Sequence, residues 1–150
     1  MLQLRSASEG DAESVARILV SARLAYLPFA PSAHSPDAVR RWVGNNLIPS
    51  GGVVVAQLDD ENVGVLAISE SGGIGWIDQL YMAPGHVNQG IGSQLLEHAL
   101  SLLPRPIHLW TFQENHGAIR FYQRHGFKAI RYTDGAGNEE KCPDMLFEYP

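Results

Sequence analysis

The sequence predicts an α/β fold of the α+β kind: a mixed, mostly antiparallel sheet of about seven strands, with a central parallel βαβ unit and helices on both faces. Three observations predict it. Residues 53–56 and 63–68 are β-branched apolar runs flanking Asp59-Asp60-Glu61-Asn62, the pattern of an antiparallel hairpin. Residues 74–82, a helical stretch from Gly90 to Leu103 and residues 107–112 follow one another with short joints, which makes the two strands parallel with a right-handed crossover. Residues 127–132 and 145–149 form two further strands after the last helix. The 150 residues are most simply one domain, 1–150, large enough to bury a core without staples.

Each element has a local cause. Leu2-Gln3-Leu4-Arg5 alternates like a short strand, and Ser8-Glu9-Gly10-Asp11 resembles a capping box. Val15, Ile18, Leu19 and Ala22 then recur at helical spacing in a first helix ending near Tyr26. Pro28 and Pro31 make residues 27–35 a loop. Ser35 caps a second helix with Pro36 at its first position and an apolar face of Val39, Trp42 and Val43, which places Trp42 in the core. Gly72-Gly73 turns the chain into the strand 74–82, and Pro84 and Gly85 end it. Ile91, Leu95, Leu96 and Ala99 share one side of the next helix, stopped by Pro104 and Pro106. Asn115 caps a helix that runs to His125, where Gly126 provides a left-handed stop. The Gly- and Asp-rich segment 133–143 is expected to be a plain surface loop, the alternative being that its acidic stretch, Asp134-Gly135 to Asn138-Glu139-Glu140, greets a cationic amine.

Composition excludes several classes. The net charge is −5 and no run of Lys or Arg exceeds Arg40-Arg41, which argues against nucleic acid or an acidic membrane as partner. No apolar run approaches the length of a bilayer span. One cysteine, Cys142, permits no internal disulfide, and a reducing, cytoplasmic setting without a signal peptide is expected. The six histidines show no ligand spacing with one another or with Cys142, so no metal is expected. Cys142 precedes Pro143 with no histidine near it in sequence, a poor setting for a nucleophile.

The chemistry-bearing feature is Gly90-Ile91-Gly92 at a helix start, just after the end of a strand. Two residues without side chains let the main chain approach a ligand, and a helix N-terminus offers unpaired N–H groups to an anion. The third glycine of a dinucleotide fingerprint is missing, and no Gly-Lys-Ser/Thr follows. Asn115 and Tyr122 lie two helical turns apart and share one face of the later helix, with a phenol poised near the ligand.

On these residues the chain resembles the GNAT superfamily of acyl-CoA-dependent N-acetyltransferases. Residues 77–84, the loop to Gly90-Ile91-Gly92 and Leu95-Leu96 are similar to that family's central coenzyme A motif. Asn115, Ala118, Phe121-Tyr122 and His125-Gly126-Phe127 are similar to its next motif, and the order of elements agrees over essentially the whole chain. The resemblance implies a GNAT-like fold and an acetyl group moved from acetyl-CoA to a primary amine by direct attack in a ternary complex. The alternative is a non-catalytic module that binds acyl-CoA as a sensor. The strand ending at Met82 is expected to part from 107–112 and leave a wedge for the thioester and pantetheine arm. Main-chain groups of Leu80 and Met82 would face that arm, Met82 N–H being a candidate oxyanion donor.

The main chain of Val87, Asn88, Gln89, Gly90, Ile91, Gly92 and Ser93 is implied to hold the diphosphate. Val87 stands where the family usually has Gln or Arg, so the side-chain contact is absent here. His86 is expected to be a solvated loop histidine.

Tyr122 is the implied acid toward the departing thiolate, and Asp78 the base for the amine, directly or through water. Asn115 either caps its helix or holds the coenzyme A arm. Glu70 and Glu114 are read as solvated. Tyr26, His34 and Trp42 lie in the region that in this family shapes the acceptor pocket, with Trp42 read first as core. The acceptor is expected to be a small-molecule or peptide amine, and a homodimer through the β-rich C-terminus is open.

Overall fold

The computed structural model describes residues 1–150. Strands β1 (Leu2–Ser6), β2 (Val53–Leu58), β3 (Glu61–Ser71), β4 (Ile74–Met82), β5 (Ile107–Phe112), β6 (Lys128–Tyr132) and β7 (Asp144–Tyr149) form one sheet in the order β1-β2-β3-β4-β5-β7-β6. Helices α1 (Ala12–Tyr26), α2 (Pro36–Trp42), α3 (Ile91–Leu102) and α4 (His116–Arg124) complete the fold. Every strand pairing is antiparallel except β4 with β5.

Two apolar clusters lie on opposite faces of the sheet. Leu66, Ile77, Leu109, Met145 and Phe147 meet Ile91, Leu95, Leu96 and Ala99 of α3 and Tyr122 of α4 on one side. Val53, Val55, Val65 and Ala67 meet Val15, Ile18 and Leu19 of α1 on the other, closed by Val43 and Leu47. The period of two along the strands divides the side chains between these faces.

The capping box forms at the start of the first helical segment, with Asp11 buried and its carboxylate gripped by Arg5 Nη1 and Nη2, both at 2.8 Å. The hairpin turn is shorter than the sequence pattern indicates. Asp59 and Asp60, at φ 50° and 70°, make it alone, and Glu61 already belongs to β3. Two left-handed residues match the right-handed twist of the flanking strands.

Two expectations are corrected. After Trp42 the chain widens into a π-turn over Val43–Leu47 and then a 3₁₀ turn, Ile48–Ser50. Val43 and Leu47 are thereby buried, while Trp42 is 43% exposed rather than core. The acidic segment 133–143 is also no plain surface loop. Asn138 Nδ2 donates to Cys142 O at 2.7 Å and to Asp144 at 3.1 Å, and Gly135 at φ 84° packs so tightly that a Cβ there would meet the Cys142 carbonyl carbon at 2.3 Å. The folded loop carries Glu140 inward, against α1.

Candidate active site

The parallel pairing of β4 with β5 covers only Gly75 with Ile107 and Trp76 with His108. Beyond that the two strands diverge. The cause lies in the register of β4 with β3, where Ile68 faces Ile77 but Ala67 faces Gln79. Asp78 is therefore the extra residue of a β-bulge, which bends β4 away from β5. Further along, Ala83 N–H donates to Val63 O at 2.8 Å. Main-chain groups alternate in direction along a strand, so those of Gln79 and Tyr81 also face β3, and those of Leu80 and Met82 face the opening.

The loop after β4 is the second component. Gly85, Asn88 and Gly90 have φ of 92°, 61° and 80°. Left-handed residues interspersed among ordinary ones curl a main chain so that its N–H groups converge into an anion-binding concavity. From Val87 to Ser93 no main-chain N–H finds an acceptor in the chain, and no side chain caps α3. The loop is open: Asn88, Gln89 and Gly90 are exposed, and a Cβ on Gly90 would meet nothing within 4 Å. Gly92 serves packing, since a Cβ there would stand 2.9 Å from Met82 Cε. His86 is half-buried, with Nδ1 lacking a partner, rather than solvated.

Tyr122 comes from α4, whose start is fixed by Asn115 Oδ1 accepting from Ala118 N–H at 3.3 Å. Gly126 at φ 94° ends the turn that follows. The Tyr122 ring is held by Phe121, Phe127 and Phe147 at centroid distances of 5.2, 5.6 and 6.0 Å. Its hydroxyl makes no hydrogen bond within the chain and belongs to no fully buried orphan group. Burial, with the Tyr81 phenol nearby, pushes its pKa above the ordinary tyrosine value. The group stays a neutral donor at physiological pH. Asn115 caps with its oxygen while its amide nitrogen remains free, and it lines the cavity described next.

That cavity, about 680 Å³, lies where β4 and β5 part and is walled by Asp78, Gln79, Tyr81, Thr111, Phe112 and Asn115. The bulge turns Asp78 and Gln79 toward the same side. Asp78 accepts from Ser69 Oγ at 2.6 Å. A neighbouring cavity of about 740 Å³ between α1, the following loop and α2 shares Arg23, Leu27, Gln79, Tyr81 and Glu140 with the first. His34 lines this second cavity, 3.0 Å from Glu139; Tyr26 lines neither.

Sequence reasoning missed Arg23, Gln79 and Tyr81, and it offered Glu140 only as part of an acidic loop that could face a cationic amine. The motif strand already contained Gln79 and Tyr81, but their direction depends on the bulge. Cys142 is buried, and its thiol is pushed up by that burial and by Glu114, Glu140 and Asp144. It stays protonated and is no nucleophile. No three metal-ligating side chains come together, and no helix is long and apolar enough to cross a membrane.

The structure thus brings an opened parallel strand pair beside a loop of unpartnered amides, while Tyr122, one helix later, lines neither cavity. The family model described as "Acetyltransferase (GNAT) family" matches residues 18–127, and the chain belongs to that family. It is 34% identical over 107 residues to the peptidyl-lysine N-acetyltransferase YjaB of Salmonella typhimurium, covering 71% of this chain and 70% of that protein. Among solved structures it is similar to apo YjaB from Escherichia coli, with a TM-score of 0.77 at 24% identity over 99% of this chain and 97% of that one. It is also similar to the PaiA N-acetyltransferase of Thermoplasma acidophilum in complex with coenzyme A, with a TM-score of 0.75 at 17% identity over 99% and 98%.

Proposed function

We propose that this protein moves the acetyl group of acetyl-CoA to a primary amine by direct attack in a ternary complex. The observation that carries the reading is the run of unpartnered amides from Val87 to Ser93 beside the opened edge of β4. These amides and the α3 N-terminus hold the diphosphate, doing so without the side chain that Val87 replaces. Main-chain groups of Leu80 and Met82 take the pantetheine arm, with Met82 N–H toward the oxyanion and the Asn115 amide nitrogen alongside.

The acceptor enters as an ammonium and must lose a proton before it attacks. Asp78 removes it, directly or through one water. The nitrogen then bonds to the carbonyl carbon, the C–S bond breaks, and the nitrogen releases its second proton. Tyr122 donates to the departing sulfur and is reprotonated from solvent. In balance, ammonium and acetyl-CoA become amide, thiol and one free proton. Holding both reactants in one cleft supplies much of the acceleration by orientation. YjaB of Salmonella typhimurium is a peptidyl-lysine N-acetyltransferase, which supports an amine acceptor here.

Thiol release from acetyl-CoA across a panel of primary amines tests this. Release with at least one amine, depending on both reactants, is the expected result. Saturable coenzyme A binding with no release from any amine would instead favour the acyl-CoA-sensing module.

A further inference from the structure

Helix α2 has an apolar stripe of Ala38, Val39 and Trp42, yet none of its residues is buried. Opposite it, α1 leaves Leu24 75% exposed. Val39 also touches the core beside Val43, but Leu24, Ala38 and Trp42 look into the 740 Å³ cavity and join neither core cluster. Apolar surface gathered in a concave site is covered by the apolar part of a ligand. An ammonium group alone fills only a small part of such a volume, so the cavity must accept a sizeable body attached to the amine.

The junction with the reaction cavity adds a charge. Glu140 accepts from Arg23 Nη1 at 3.0 Å, and the two side chains are only 15% and 19% exposed. The second carboxylate oxygen of Glu140 receives no donor from the chain. Of the other carboxylates of the reaction cavity, Asp144 uses both oxygens on Thr133 and Asn138, and Asp78, held by Ser69 at one oxygen, lines that cavity alone. Glu140 is thus the carboxylate reached from both cavities that keeps a free oxygen. A cation leaving water for an apolar cavity needs such a counter-charge.

Resting on the acetyltransferase reading, we propose that the preferred acceptor is a primary amine bearing an apolar group of about the size of an aromatic ring. The ring seats against Trp42 and Leu24, and the ammonium is met by Glu140 on its way to Asp78. Trp42 and Glu140 are then specificity-determining residues, one for the body and one for the charge.

Calorimetric titration of the full chain with 2-phenylethylamine, ethanolamine and uncharged 2-phenylethanol tests this. We expect 2-phenylethylamine to bind about tenfold or more tighter than ethanolamine, as burial of a ring predicts. Trp42→Ala should remove most of that preference while leaving coenzyme A affinity unchanged, because Trp42 belongs to neither core cluster. Glu140→Gln should weaken 2-phenylethylamine but not 2-phenylethanol. Equal affinity for the two amines, no binding of 2-phenylethylamine, or a preference untouched by Trp42→Ala would overturn the proposal. Thiol release separates the two layers. Preferential binding without release refutes acetyl transfer and keeps the cavity assignment; release without preference refutes the cavity assignment alone.

Discussion

A phenol packed among three aromatic rings, with no hydrogen bond inside the chain, is an uncommon use of tyrosine, because a buried hydroxyl normally finds a partner. At Tyr122 the ring packs in the core while the hydroxyl has no partner in the chain, which separates its two roles. Tyr122→Phe keeps every ring contact and leaves no polar group orphaned. The expected outcome is a fall in kcat of about 100-fold, the usual scale for a lost general acid. The coenzyme A dissociation constant should move less than about twofold. Equal losses in both, measured by steady-state kinetics and equilibrium binding, would reduce Tyr122 to a packing residue. The place of this tyrosine on its helix was legible, because seven residues from Asn115 make two helical turns. Trp42 was not: its apolar neighbours Val39 and Val43 suggested a core stripe, and the π-turn after residue 42 sends Val43 inward and leaves the indole out.

At the scale of elements, the α3 N-terminus works through conformation more than through side chains. Gly90 sits at φ 80° with open space where a Cβ would stand, so the cost of replacing it is conformational rather than steric. Asn tolerates the left-handed region and a β-branched residue does not. Gly90→Asn should therefore hold coenzyme A within about threefold of the parent, whereas Gly90→Val should weaken it about tenfold or more by re-aiming the amides. Titration calorimetry distinguishes them, and equal affinities would mean that the loop does not grip the diphosphate. The glycine pattern was readable because a left-handed turn before a helix leaves few residue choices. The bulge at Asp78 was not, since a register shift belongs to two strands and β4 alone does not reveal the offset of β3. The inward fold of residues 133–143 was hidden for a related reason. Its anchors, Asn138 to Asp144 and Arg23 to Glu140, depend on partners brought together by the finished sheet.

For the whole molecule, the strand content, the parallel crossover and both core faces followed from periodicity, while the order β5-β7-β6 did not, because either neighbour of β5 satisfies the apolar pattern. What ties the first strand and helix to the rest is polar. Asp11, buried between β1 and α1, receives Arg5 twice at 2.8 Å, Ser8 N–H at 2.8 Å and Asn62 of β3 at 3.1 Å. The Arg5 hydrogen bonds, helped by Ser8 and Asn62 against the opposing effect of burial, hold its carboxyl well below the usual carboxylate range. The sign follows from linkage: the unfolded chain takes up this proton at about pH 4, and the folded chain only at much lower pH. The stabilisation is complete above about pH 5 and is lost as pH falls through the interval between those two values. Asp11→Asn should cost about 2 kcal/mol at neutral pH, below the range for a fully buried pair because Arg5 is one-third exposed. Urea unfolding should show that the gap between parent and variant narrows at about pH 3, where the parent has begun to lose this contribution. A gap of the same size at both pH values would assign the loss to shape rather than to charge.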